Sequence, residues 1–238
     1  MVSISNEPLE LLIKQVQDQI SGTQLYKPDP IYFTLSAELS EQNHFSSEGA
    51  NIISFLFALS QGSRNRFRKL EDDFANCVGN LTSIATPVDP EKSGQFKLRF
   101  FDKNDIGYWA EEVSEGVLYF LALLCIVHQP DPPKLLLLEE PEKGIHPRRI
   151  KEVMDFIFEL ARLRGIQIIL TSHSPYVVDY FADIPECISV FDRENGETII
   201  RNAGDIIEET NAKLEKPIRY SDTLGEHWVS GFLGGVPL

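Results

Sequence analysis

Two short, uniformly apolar runs limit what this chain can fold into. "KLLLLEE" (134–140) is too short and too continuously apolar for a half-exposed strand. It suits a central strand of a parallel sheet covered on both faces. "IQIILTSHS" (166–174) reads as a second buried strand. Between them, "RRIKEVMDFIFELARLRG" (148–165) is amphipathic at helical spacing and stops at Gly165. Strand, helix and strand on short links make a βαβ unit, expected to be parallel and right-handed. The expected fold class is therefore α/β, a mainly parallel sheet core with flanking helices.

Other segments extend this frame. "PLELLIKQVQDQI" (8–20) has helical spacing, opened by Pro8 and followed by Gly22. Residues 23–47 read as an extended stretch with loops. "SSEGANIISFLFALSQGS" predicts a helix capped by Ser46 or Ser47, and a second helix is expected over about 64–77. Residues 80–94 read as loop, and "QFKLRFFD" (95–102) has strand character. "SEGVLYFLALLCIVHQ" (114–129) is a buried helix with Ser114 at its start. "CISVFDRENGETIIR" (187–201) predicts a hairpin turning at Asn195-Gly196. The tail beyond 205 reads as partly helical, then loose.

Composition excludes several functions. Hydrophobic residues are 42% and charged residues 24% of 238, as in ordinary globular chains. No apolar run approaches the roughly 20 residues of a membrane helix, and the N-terminus lacks a signal-peptide layout. With 36 acidic against 22 basic residues the formal charge is −14, which argues against a chain that coats nucleic acid. One basic cluster, "RNRFRK" (64–69), reads as a solvated helix face or a local contact with an acidic partner or nucleic acid. Cys77, Cys125 and Cys187 form no CxxC pair, so reduced thiols in the cytoplasm are expected rather than a zinc site.

The candidate chemistry lies where the two strands end. Ligands of open parallel sheets sit beyond the carboxyl ends of the strands. Glu139, Glu140 and His173 should converge there. One carboxylate can face Mg²⁺, directly or through its waters, and the next can orient or deprotonate an attacking water. The alternative is that Glu139 and Glu140 only cap a core strand and that His173 is a surface or core imidazole.

Three segments in order, "VSEGVLYFLALLCI", "KLLLLEEPEKGIHP" and "IILTSHSPYVVD", resemble the C-terminal half of an ABC-type ATPase domain, in the SMC-like and OLD-like branch of the AAA-family predicted ATPases. The resemblance covers residues 95–182, with a weaker match at "SSEGANIISFLFAL". It implies a partial P-loop NTPase fold with a helical signature subdomain. It divides the chain into an N-terminal helix and extended segment (1–47), a helical subdomain (48–94), an ATPase core half (95–204) and a tail (205–238). It also implies roles. Glu139 falls at the Walker B acid facing Mg²⁺, and Glu140 at the general base. Ser114, Glu115 and Gly116 fall on the signature motif, which caps a partner-held γ-phosphate. Gly144, Ile145 and His146 fall on the D-loop, and His173 on the switch histidine, preceded by Thr171 and Ser172. ATP and Mg²⁺ are the implied cofactors.

Two departures shape the expected function. Val113 and Val117 flank Ser-Glu-Gly where the family favours Leu-Ser-Gly-Gly-Gln or Leu-Ser-Asp-Gly-Thr. No G-x-x-x-x-G-K-[ST] occurs in these 238 residues. The chain therefore reads as half an ATPase: a truncated product, one piece of a split enzyme, or a degenerate relative kept for assembly. The expected activity is ATP hydrolysis in a nucleotide-sandwiched homodimer or in a complex whose partner supplies Walker A. Nucleic acid would be met through a partner, and no membrane is involved. The competing class is a non-catalytic ABC-like module docking by its signature face. The OLD-type nuclease reading is disfavoured for this chain, which shows no acidic Toprim-like cluster. A partner nuclease, as in phage-defence systems, fits the resemblance. Arg148-Arg149 opens a helix against its dipole, which hints at an anionic neighbour.

Overall fold

The computed structural model describes residues 23–42, 44–143, 145–215, 217, 220 and 223–236. The expected helix at 8–20 and Gly144 lie outside them. The chain divides into two compact units. The first runs up to Ile145 and adds Asp155–Thr171; the second is His146–Met154 with Ser172–Leu238.

The first unit is built on a parallel sheet of β1 (Thr23–Tyr26), β5 (Leu135–Glu139) and β6 (Gln167–Thr171), in the order β1-β5-β6. Register runs Thr23 to Leu135 and Tyr26 to Leu138 on one side, and Leu135 to Gln167 and Glu139 to Thr171 on the other. Leu136 and Leu138 are buried while Leu135 and Leu137 are half-covered. β5 thus has one sealed face rather than the two that its leucines suggest. β6 departs further from the expected buried strand. It is an edge among the described residues, none of its side chains is fully buried, and Ile169 is 53% exposed.

α3 (Glu115–His128) is the apolar helix the sequence announces. Every residue from Leu118 to His128 is buried. It starts after Ser114, whose carbonyl accepts from the Val117 and Leu118 amides at 3.0 and 3.3 Å. α4 (Pro147–Arg164) contributes its second half to this unit, where Phe156 meets Phe120 of α3 with ring centroids 4.8 Å apart. It stops at Gly165, whose φ of +65° is a left-handed value that glycine adopts without steric cost. His128 is a satisfied core histidine: its Nε2 lies 2.7 Å from Asp73 and its Nδ1 3.4 Å from Arg164 Nη2.

α1 (Ile52–Gly62) follows Asn51 rather than Ser46 or Ser47. The reason is local: residues 47–51 form turns, and the Asn51 side chain accepts from the Ser46 amide at 2.9 Å while donating to the His44 carbonyl at 2.8 Å. α2 (Arg64–Val78) matches the expected second helix. The stretch read as loop at 80–94 instead holds β2 (Leu81–Ala85), which joins β3 (Arg99–Asp102) and β4 (Gly107–Trp109) in an antiparallel sheet. Phe74 of α2 stacks on Phe100 of β3 beneath it, both fully buried.

The second unit holds α5 (Pro175–Tyr180), the hairpin β7 (Ser189–Glu194) and β8 (Glu197–Asn202), α6 (Ala203–Asn211) and α7 (Leu224–Val229). The hairpin turns at Asn195-Gly196, both at positive φ (51° and 88°), the signature of a type I′ turn. Val190, Ala203, Ile206, Tyr220, Leu224 and Leu233 form its core.

Candidate active site

The carboxyl ends of β1 and β5 open onto a cavity of about 690 Å³ lying wholly within the first unit. Two buried groups anchor the strand end beside it. Tyr26, the last residue of β1, is fully buried, and its hydroxyl accepts from Gln129 Nε2 at 2.8 Å. Gln129 in turn accepts from the Phe45 amide at 3.2 Å, so the end of β1 is tied to the end of α3. Beyond Tyr26 the chain turns through Lys27-Pro28-Asp29-Pro30 into a one-turn 3₁₀ helix, capped by Asp29 accepting from the Ile31 amide.

Glu139 and Glu140 both line the cavity, and their backbones differ. Glu139 is still in strand register with Thr171. Glu140 extends the ladder by one bond, its amide donating to the Thr171 carbonyl at 2.9 Å, then breaks away with φ +46°. That left-handed value in a residue with a β-carbon is costly, and such positions cluster at functional sites. The Glu140 carbonyl accepts from the Lys143 amide at 3.0 Å, closing a tight turn through Pro141. The turn is what brings two successive side chains to one cavity, where a regular strand would send them to opposite faces.

Lys27 was not foreseen from sequence. Its Nζ lies 2.8 Å from Glu139 Oε1, and this bond, reinforced by the charges of Glu139 and Glu140, holds the ammonium's pKa above the usual lysine value. Both side chains are well exposed, at 56% and 40%, so the pair is weak. Around it stand Asp29, Glu48, Glu111 and Glu115, and a second cation, Lys143. The lining thus carries six carboxylates and two ammonium groups, and Glu111 is also paired with Lys97. Tyr119 of α3 also lines the cavity. It is 3% exposed, and its hydroxyl has no hydrogen-bond partner among the described residues. Burial, then the charges of Glu142, Glu140 and Glu139, push its pKa far above that of a free phenol, so it is a neutral O–H. Lys27 follows β1, whose residues carry no strand pattern distinct from an extended stretch. Tyr119 was hidden inside an apolar helix run.

Among the sequence-predicted residues, Glu115 joins Glu139 and Glu140 on the cavity wall, while Ser114 and Gly116 flank it in the chain at the start of α3. His146 and His173 belong to the second unit. The His146 carbonyl accepts from the Arg149 amide at 2.8 Å and its Nδ1 from the Arg148 amide at 3.3 Å, which starts α4. His173 follows β6 by two residues and lines a separate cavity with Phe191, Arg193, Thr198 and Trp228. Mg²⁺ is usually held by one or two carboxylates, waters and substrate phosphates rather than by an all-protein cage. Glu139 and Glu140 fit that pattern as hard oxygen donors. No group of three or more His, Cys, Asp or Glu suited to a metal occurs among the described residues.

Residues 6–179 match the family model described as "AAA domain, putative AbiEii toxin, Type IV TA system". The chain is also similar to curated ATP-binding proteins. It is 41% identical over 49 residues to the uncharacterized ABC transporter ATP-binding protein YhcH of Bacillus subtilis, covering 21% of this chain and 15% of that protein. It is 39% identical over 72 residues to the energy-coupling factor transporter ATP-binding protein EcfA2 of Bacillus licheniformis, covering 30% and 24%. The chain thus spans under a quarter of the length of each. A solved chain from work on "ATP-driven dimerization and DNA stimulated activation of SMC ATPases" is 16% identical, covering 65% of this chain and 96% of that one, with a TM-score of 0.47. The family model spans well over half of the residues, and the chain belongs to this AAA domain family.

Proposed function

We propose that this chain supplies the Walker B, signature and switch elements of an ATP-hydrolysing site, working in a nucleotide-sandwiched dimer of itself or with a Walker A-bearing partner. The observation that carries the reading is the Glu139–Glu140 pair at the carboxyl end of β5, with Glu140 held in a left-handed turn on the cavity wall. A capping pair would need neither the strain nor the cavity.

In this reading Glu139 would hold Mg²⁺, directly or through its waters, giving up Lys27 to do so. The ion would supply charge neutralisation on the transferring phosphoryl group. Glu140 orients the attacking water and takes its proton. Ser114, Glu115 and Gly116 present the start of α3, whose free amides and dipole favour a partner-held γ-phosphate. By the family resemblance alone, His146 would serve as the D-loop residue and His173 as the switch histidine. The backbone amides and lysine that cradle the phosphates come from outside these 238 residues, since no P-loop motif lies within them.

The test is ATP turnover by the complex isolated from its host on a tagged copy of this chain. Glu140→Gln should lower turnover by about 10² to 10⁴, the usual worth of a general base, while ATP stays bound. Equal turnover by wild type and variant would sink the proposal. A second reading, a non-catalytic docking module, is favoured by one observation: Lys27 already pairs with Glu139. It predicts that Glu139→Gln and Glu140→Gln leave partner capture unchanged with or without ATP.

A further inference from the structure

Lys27 joins a fixed root to a loose head. Tyr26 before it is fully buried and tied to Gln129, and the Lys27 amide donates to the Ser47 carbonyl at 3.0 Å. Pro28 and Pro30 restrict the backbone that follows. The side chain is 56% exposed, and its ammonium rides on a flexible four-carbon stem. Such a group can change partners without moving the chain that carries it.

Charge says when it must. Its partner, Glu139, is the carboxylate assigned to the metal, and a divalent cation there repels an ammonium held 2.8 Å from the same carboxylate. Cation and Lys27 therefore exclude each other at Glu139. The lining carries six carboxylates against two ammonium groups, so a polyphosphate gains entry in company with a cation. Displaced ammonium and phosphate then share the cavity. Lysine serves phosphate as a mobile point charge, with no fixed geometry to build. The P-loop lysine is absent from these 238 residues, which leaves Lys27 and Lys143 as the cations this lining offers. Of the two, Lys27 is the one whose release is coupled to the metal.

We propose that Lys27 is a phosphate ligand held in reserve, paired with Glu139 while no cation is bound and transferred to a phosphate oxygen of the nucleotide once Glu139 turns to the cation. This rests on the metal assignment of Glu139 and adds a binding residue to it. The exchange makes nucleotide binding depend on the metal through this chain's own side chain.

Two affinities of the purified full chain, for Mn²⁺ alone by electron paramagnetic resonance and for Mn²⁺–ATP by calorimetry, should move in opposite directions in Lys27→Met. Mn²⁺ alone should bind about twofold to fivefold tighter, because an exposed ion pair no longer competes. Mn²⁺–ATP should bind about tenfold or more weaker, the size of one charged hydrogen bond. Lys27→Arg should restore nucleotide binding. Lys143→Met, which removes the same charge from the same lining, should leave the two affinities closer to wild type. Mn²⁺–ATP binding as tight in Lys27→Met as in wild type, or absent from both, overturns the inference. So does an equal loss in Lys143→Met, which would assign the effect to overall charge. In either case Mn²⁺ binding lost in Glu139→Gln leaves the metal assignment standing, whereas Mn²⁺ binding unchanged in Glu139→Gln overturns both.

Discussion

Glu140 offers a direct measure of how much stability this site gives up. Its φ of +46° places a side-chain-bearing residue in a region that costs about 1–2 kcal/mol relative to ordinary backbone. Glycine adopts that region freely but loses about 0.5–1 kcal/mol more conformational entropy on folding than alanine does. Glu140→Gly should therefore stabilise the first unit by about 0.5–1 kcal/mol while removing the proposed base. Glu140→Ala separates strain from charge, because it deletes the carboxylate and keeps the β-carbon. The chain has two tryptophans, Trp109 in the first unit and Trp228 in the second. Urea unfolding followed by Trp109 emission, in a Trp228→Phe background, reports on the first unit alone. With a urea slope of about 2 kcal/mol/M, the Gly variant's midpoint should lie about 0.3–0.5 M above the Ala variant's. A Gly variant no more stable than the Ala variant would mean the turn is unstrained, and the argument that function maintains it would fail.

Acid should weaken the first unit through His128. Burial holds this imidazole's pKa below its ordinary value, outweighing the Asp73 contact. The unfolded chain takes up a proton near pH 6.5 that the folded one resists, so this stability is complete above that pH and drains away below it. Urea midpoints measured from pH 8 to pH 5.5 should fall on the acid side, and His128→Gln should flatten that fall. In the second unit, a β-carbon at Gly225 would collide with the backbone carbonyl of Pro175, so Gly225→Ala should cost about 1–3 kcal/mol, read from Trp228 emission.

The sequence announced those elements whose apolar pattern has a single interpretation. "VLYFLALLCIV" has no polar face to lose, so α3 could only be a buried helix, and the Asn195-Gly196 pair fixed the hairpin through its positive φ. β5 and β6 were legible as strands, but their burial was not. Whether Ile169 is covered depends on what lies beside it, and no residue of β6 encodes that. β1 and β2 went unread for a related reason. "TQLY" and "LTSIA" are short and mixed, and they are strands because they pair with Leu135–Leu138 and with β3, contacts set by tertiary structure rather than local propensity. The glutamates were visible as candidates because an apolar run ended in them. Lys27 comes from a distant segment and Tyr119 from a packing helix, so neither carried a local mark.

The pairing of β1 with β5 has a consequence for how the molecule comes into being. Lys27 and Glu139 are 112 positions apart, and the strands behind them are hydrogen-bonded neighbours. Closing so long a loop is an entropic debt that must be met before the contact returns anything, which places the pairing late in folding. A nascent chain short of residue 139 therefore has its lysine but lacks the glutamate that pairs with it. The chemistry proposed here becomes available in a single late event, when β1 and β5 meet.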